Sequence, residues 1–140
     1  MSFAQHYAIT DVCILVKDTK RSIDFYVGKL GFELNRQAEG FAEFNGAGLT
    51  LACWEIDHIS SHTGISNAKA EGPHKVCVAV RLPTPEEIDE AFSDLSGKGV
   101  VMYGPPEDYV WNARGFYFTG PDDELWEVYA WRDGGSAGNF

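Results

Sequence analysis

Two short apolar runs of strand type lie 64 residues apart in the chain. Residues 12–17 read VCILVK and residues 76–81 read VCVAVR. Both are rich in β-branched residues, which favour strands. Because side chains alternate between the two faces of a strand, Val12, Ile14 and Val16 are predicted to pack on a helix, and Asp11 and Cys13 to point the other way.

A helix signal follows each run. In the first copy Asp18 is a plausible N-cap, and apolar residues then recur at the spacing of one helical face: Ile23, Tyr26, Val27 and Leu30. In the second copy Thr84 would cap the helix, Pro85 would take its first position and Glu87 would complete a capping box. The same apolar spacing continues there in Ile88, Ala91, Phe92 and Leu95. The sequence therefore predicts an internal repeat.

Extended segments complete each copy. Residues 40–44 parallel residues 115–119, and residues 49–53 parallel residues 125–129 at an offset of 76. Each half is predicted to be β-α-β-β-β, and the extra residues of the second copy are placed in loops around residues 104–106. The predicted organisation is one domain over residues 1–140. It comprises module one at about 8–55, a linker or lid at 56–74, module two at about 75–131 and a flexible tail at 132–140.

Composition narrows the classes of function. The formal net charge is −10, whereas nucleic-acid binding needs clustered Lys and Arg. No apolar run approaches the roughly 20 residues of a membrane helix, and the N-terminus does not resemble a signal peptide. A cytoplasmic protein is expected, without nucleic-acid or membrane partners. The three cysteines form no CxxC pair, so neither a zinc ribbon nor a disulfide framework is indicated.

Several motifs resemble those of a known superfamily. Residues 16–18 (VKD) lead to 21–26 (RSIDFY) and 29–32 (KLGF), and the chain ends on 111–116 (WNARGF) and 121–128 (PDDELWEV). Over roughly residues 8–131 this arrangement resembles the vicinal-oxygen-chelate superfamily, which includes glyoxalase I, extradiol dioxygenases and the fosfomycin and bleomycin resistance proteins. The resemblance implies an α+β fold in which two βαβββ modules form a half-open barrel, a small-molecule pocket and a homodimer.

In the metal enzymes of that superfamily, four ligands lie on the first and last strands of the two modules. Carried over to this chain, the four positions hold Asp11, Leu51, Lys75 and Glu127. Only Glu127 matches the family's His and Glu ligands, although Asp11 is a tolerable carboxylate. Leu51 offers no lone pair, and the ammonium of Lys75 repels a cation. No metal cofactor is therefore expected, and Lys75 is predicted to neutralise Asp11 and Glu127, either as a structural ion pair or as an anchor for a ligand.

A slip of one residue in the strand register gives an alternative. It would turn Thr10 and His74 inward and permit a divalent metal at Glu127 with His74. The slip would also turn Val76 and Val78 away from the helix, which the hydrophobic pattern disfavours.

The same alternation predicts the other pocket residues. Cys13, Cys53 and Cys77 are expected on inward faces, with Tyr129 beside them and Trp111 at the rim, whereas Trp126 should face opposite to Glu127. A cysteine nucleophile is an open alternative, because Lys75 is two residues from Cys77 on the same predicted face. The other aromatic residues expected to supply pocket or core surface are Trp54, Trp131, Tyr103, Tyr109 and Tyr117.

Three functions remain open at this point. A metal-independent binder of a cationic or aromatic small molecule, as in the bleomycin-resistance branch, fits the incomplete ligand set and the acidity. A metal-dependent lyase or dioxygenase of the glyoxalase type would require a different strand register. A packed core that serves protein interaction alone is the third possibility.

Overall fold

The computed structural model describes residues 3–6, 11–63, 76–109 and 111–133. The chain divides into two compact units, Met1–Lys69 and Ala70–Phe140. Each unit contains one β-sheet with a helix packed on one of its faces. The division between the units falls within residues 56–74, the segment expected to join the two modules.

The first unit has the β-α-β-β-β order that the repeat predicts. In its sheet β1 pairs with β4 in parallel, β4 pairs with β3 and β3 with β2, both antiparallel. Its elements are α1 (Phe3–His6), β1 (Asp11–Val16), α2 (Thr19–Gly28), β2 (Glu33–Ala38), β3 (Phe41–Gly46), β4 (Leu49–Glu55) and α3 (Ile56–Thr63).

The second unit repeats this plan with one strand more. β5 and β9 pair in parallel, β9 pairs with β8, and both β6 and β7 pair with β8. Its elements are β5 (Cys77–Arg81), α4 (Pro85–Gly97), β6 (Val101–Met102), β7 (Glu107–Tyr109), β8 (Ala113–Thr119) and β9 (Leu125–Trp131). The segment expected to be loop around residues 104–106 therefore leads into β7.

The starts of the two main helices confirm the predicted caps. The Asp18 side chain accepts a hydrogen bond from the backbone N–H of Lys20 at 2.9 Å. At α4 the Glu87 N–H donates to Thr84 Oγ1, and the Glu87 carboxylate accepts from the Thr84 N–H, with Pro85 in the first turn. These bonds satisfy N–H groups that have no partner within the helix.

Each helix covers a mainly aromatic core. In the first unit Tyr26 of α2 is fully buried and packs against the rings of Phe32 and Phe44 at centroid distances of 5.9 and 5.7 Å. In the second unit Phe92 of α4 packs edge-to-face on Phe116 at 5.4 Å, and Phe118 stacks on Trp126 at 5.8 Å. Burying one such side chain stabilises the fold by about 1.5–3 kcal/mol.

One feature differs from the sequence prediction. Residues 56–63, which were assigned to the linker, form the helix α3 directly after β4. The rest of the predicted linker, including His74, lies outside the described residues, as do Lys75 at the start of the predicted second module and the tail after residue 133. None of the helices in the described ranges is long and apolar enough to cross a membrane.

Candidate ligand-binding site

The strand register assigns the faces of the second sheet. On β9, Trp126, Val128 and Ala130 are buried against α4. The alternate residues Glu127 and Tyr129 therefore point away from the helix. We call this side the open face of the second sheet. The prediction that Trp126 faces opposite to Glu127 is confirmed.

Aromatic rings and a carboxylate share this open face. Trp111 stacks on Tyr109 with ring centroids 4.7 Å apart, and Tyr109 meets Tyr117 edge-on at 6.2 Å. On the neighbouring strand Tyr129 packs against Trp131 at 5.3 Å. We call the following set the acidic aromatic face: Tyr109, Trp111, Tyr117, Glu127, Tyr129 and Trp131.

Glu127 is held by a tyrosine of the neighbouring strand. Tyr117 and Glu127 are directly paired on β8 and β9, and the Tyr117 hydroxyl donates to Glu127 Oε2 at 3.0 Å. The other carboxylate oxygen, Oε1, makes no hydrogen bond within the described part of the chain. Glu127 therefore presents one oriented acceptor atom to a ligand.

The charge of the face is negative. Burial raises the pKa of Tyr117, and the hydrogen bond to Glu127 raises it further. Burial also raises the pKa of Tyr109, with added repulsion from the carboxylates of Glu107 and Glu127. Both phenols thus remain neutral at pH 7, and the formal charge of this surface comes from the carboxylates.

The exposed cysteines are not activated. The pKa of Cys77 is raised by burial and then by Glu127, and that of Cys13 by burial and then by Asp11. A nucleophilic cysteine needs the opposite shift, because the thiolate is the reactive form. The described surroundings thus give no support to the cysteine-nucleophile alternative. Lys75, on which that alternative depended, lies outside the described residues.

Two residues predicted to line the pocket lie instead on the helix-covered face of the first sheet. Leu51 and Cys53 pair with Val12 and Ile14, so they share the face that packs on α2, and both are fully buried. The expectation that they line the pocket is wrong. Three consecutive residues of β4, from Leu51 to Cys53, are buried and apolar. The sequence of this strand therefore contained no alternation that could fix its phase.

The residues that do point away from α2 are Asp11, Cys13 and Leu15, together with Thr50, Ala52 and Trp54 of β4. Asp11 and Cys13 are exposed there, on the side that the alternation predicted. Leu15 and Ala79 are equivalent positions of the repeat, 64 residues apart. Leu15 pairs with Trp54 in the first sheet, and Ala79 pairs with Glu127 in the second. Trp54 therefore takes the place in the first unit that Glu127 takes in the second, and Leu51 does not.

This placement bears on the metal hypothesis. The indole nitrogen of Trp54 is a donor only, and it donates to His58 Nδ1 at 2.9 Å. Asp11, Trp54 and Glu127 therefore supply two carboxylates and no further electron donor. Among residues 11–63, 76–109 and 111–133, no three His, Cys, Asp or Glu side chains form a group that could hold a metal ion. The donor set at these three positions does not fit the family's metal centre. Thr10, His74 and Lys75 lie outside the described residues.

Sequence reasoning missed the Tyr117–Glu127 hydrogen bond. It named Tyr117 and Tyr109 only as general aromatic surface. The signal in β8 was limited to Tyr117, which lies between the buried core residues Phe116 and Phe118. Its partner on β9 became known only from the register.

Comparison with known proteins places these features in context. The sequence model of the Glyoxalase/Bleomycin resistance protein/Dioxygenase superfamily matches residues 5–128. The crystal structure of a glyoxalase/bleomycin resistance protein/dioxygenase from Nocardioides matches this chain with a TM-score of 0.87. The two sequences are 42% identical, and the match covers 96% of this chain and 90% of that one. The mixed α+β fold class predicted from the sequence is confirmed.

Two curated relatives are more distant. The bleomycin resistance protein of Geobacillus stearothermophilus is 29% identical over 121 residues, which cover 79% of this chain and 86% of the relative. The uncharacterized protein YraH of Bacillus subtilis (strain 168) is 26% identical over 124 residues, which cover 86% and 96%.

Proposed function

We propose that the chain, which belongs to the Glyoxalase/Bleomycin resistance protein/Dioxygenase superfamily, is a metal-independent binder of a small organic cation with an aromatic part. The observation that carries the proposal is the carboxylate of Glu127, which Tyr117 holds at 3.0 Å among aromatic rings. The acidic aromatic face would bind the ligand.

The chemistry of that face suits such a ligand. A carboxylate oxygen accepts hydrogen bonds from an ammonium or amidinium group, and the faces of Tyr and Trp rings attract a cation. Flat apolar surface adds dispersion and burial for an aromatic ring. A ligand with both features would use Glu127 and the neighbouring rings together.

Two further observations support the proposal. The formal net charge of −10 attracts cations and repels anions at long range. Among the relatives are bleomycin resistance proteins at 29% identity. The name of those proteins gives a reason to include bleomycin among the compounds tested.

The alternative is a metal-dependent lyase or dioxygenase of the glyoxalase type. One observation favours it, since Glu127 occupies a position that the metal enzymes use. Trp54 and Asp11 do not complete that set. Elemental analysis of the purified protein separates the two functions. The binder should contain no stoichiometric divalent metal, and EDTA should leave its affinity for a ligand unchanged.

The binding test uses two flat aromatic compounds of opposite charge. Isothermal titration with proflavine, a cation, should give saturable binding, whereas 1-anilinonaphthalene-8-sulfonate, an anion, should not displace proflavine from this face. Bleomycin is the third compound.

Two carboxylate variants locate the site. Glu127→Gln should weaken proflavine binding about tenfold or more, because it removes a charge-assisted hydrogen bond. Glu90→Gln on the exposed surface of α4 removes the same charge elsewhere and should change the affinity by less than about twofold. Equal losses in the two variants would reduce the effect to the net charge and contradict the proposed site.

A homodimer in the cytoplasm is part of the same proposal, and Cys77 of the same sheet would lie near the ligand. The expectation that Asp11, Cys13 and Lys75 line the pocket stays a prediction. The family resemblance supports the dimer. Light scattering coupled to size-exclusion chromatography should give twice the 15.5 kDa of one chain.

A further inference from the structure

A cavity lies at the ends of the two parallel strands of the second unit. Arg81 is the last residue of β5 and Trp131 the last residue of β9, so both reach the same edge of the sheet. The cavity has a volume of about 620 Å³, and its lining includes Arg81, Arg132, Trp131, Leu82, Pro83 and Glu86. It therefore combines two guanidinium groups with a flat apolar wall.

Arg81 has no ion-pair partner among the described residues, although acidic residues outnumber basic ones in this unit. Arg114 binds Asp89 at 2.7 Å and Asp108 at 3.1 Å, and Lys98 binds Asp94 at 3.2 Å. Arg81 makes no ion pair or hydrogen bond through its side chain with any described residue. Its donors are thus available to a ligand.

Arg132 is only loosely held. Its Nε lies 3.6 Å from Asp108 Oδ1, and that carboxylate is also bound by Arg114. A pair at this distance and exposure contributes little to stability. The guanidinium group of Arg132 can therefore turn to an anion in the cavity at small cost.

The start of α4 does not supply the attraction. Its capping box already uses the N–H groups of Thr84 and Glu87, and Glu86 adds a negative charge to the cavity wall. Attraction for an anion must come from the two arginines, which form planar, bidentate hydrogen bonds with carboxylates and phosphates.

We propose that this cavity binds the oxyanion group of an organic ligand, a carboxylate or a phosphate ester, whose flat apolar body packs on Trp131, Leu82 and Pro83. Arg81 pairs with Tyr129, so it lies on the open face of the second sheet, next to the acidic aromatic face. The proposal rests on the two arginines and does not depend on the function proposed for the acidic aromatic face. Trp131 contacts both regions, so it is unsuitable as a test position.

The test uses ligands that share one body. Isothermal titration is carried out with 2-naphthoate, 1-naphthyl phosphate, the neutral 2-naphthamide and inorganic phosphate. The carboxylate, the phosphate ester or both should bind at least about tenfold more tightly than the amide and than inorganic phosphate. Which of the two anions binds better identifies the oxyanion. Equal binding of the anions and the amide, or binding of none, would overturn the proposal.

Three variants test which charged side chains act on the bound anion. Arg81→Gln should weaken binding of the better anion about tenfold, and Lys98→Gln, which removes an equal charge at the far end of α4, should change it by less than about twofold. Glu86→Gln should tighten binding, because it removes a repelling carboxylate from the wall.

The outcomes are separable from those of the proposed function. Glu127→Gln should impair proflavine binding and spare the anion, while Arg81→Gln should do the reverse. Equal weakening of anion binding by Arg81→Gln and Lys98→Gln would show a nonspecific charge effect and would refute the site. Because Arg81 has no described partner, its variant should keep the melting temperature of the native protein.

Discussion

A single methyl group at position 115 should separate the two strands that carry the proposed site. Gly115 of β8 pairs with Tyr129 of β9 in the middle of the sheet. A Cβ added at Gly115 would lie 2.6 Å from the carbonyl oxygen of Val128, 3.2 Å from Cβ of Tyr129 and 3.3 Å from its Cα. Two of these three atoms belong to the backbone, so they cannot move away without a shift of the strand.

The magnitude follows from that geometry. Gly115→Ala should lower the free energy of unfolding by about 1–3 kcal/mol, the usual cost of forcing extra atoms into a packed site. Gly97→Ala is the matched control. A Cβ at Gly97 would meet nothing within 4 Å, and the residue closes α4. Its free energy of unfolding should stay unchanged or rise by up to about 1 kcal/mol, since alanine restricts the unfolded chain.

The assay is urea unfolding followed by fluorescence, in which the midpoint and slope give the free energy of each variant. Gly115→Ala should also weaken proflavine binding, because a shift between β8 and β9 separates Tyr117 from Glu127. If Gly115→Ala proved as stable as Gly97→Ala, Val128 would not approach position 115. The register on which the faces of the second sheet are assigned would then be refuted.

Three further outcomes are expected. The Arg114 hydrogen bond lowers the pKa of Asp89, so the carboxyl should titrate by NMR below the usual aspartate range. The stability it provides over Asp89→Asn should be present near neutral pH and be lost as the pH falls through that lowered pKa. Burial raises the pKa of Tyr117; in an ultraviolet titration Tyr117→Phe should remove a phenol that ionises above the usual tyrosine range. The stability that depends on this neutral phenol is present below the usual tyrosine pKa. It is lost as the pH rises from there through the raised pKa of the folded protein. Thr84→Ala should cost about 1 kcal/mol in urea unfolding, because it removes the cap of α4.

The repeat and the two main helices, α2 and α4, could be predicted from the sequence because their signals are local. Caps and apolar spacing lie within a few residues of each other, as at Asp18 and Thr84. The alternation in β1 and β9 was equally clear, since each strand has one core face and one open face. It placed Asp11, Cys13, Glu127 and Tyr129 on the correct sides.

The face of β4 could not be predicted, for a physical reason. Leu51, Ala52 and Cys53 are all apolar and buried, so the strand carried no two-residue period. Alignment of the last strands of the two modules at an offset of 76 then made Leu51 the counterpart of Glu127. The parallel pairing with β1 places Trp54 there instead. Strand pairing is non-local information, and the contact between Tyr117 and Glu127 depends on it in the same way.

The central claim is that an organic cation binds to Glu127 among the aromatic rings of the second sheet. A crystal structure of the protein with bound proflavine tests it most directly. We expect a ring amine within hydrogen-bond distance of Glu127 Oε1 and the ring system in contact with the acidic aromatic face. Proflavine bound only elsewhere, or a metal ion held by Glu127 and a histidine, would contradict the account.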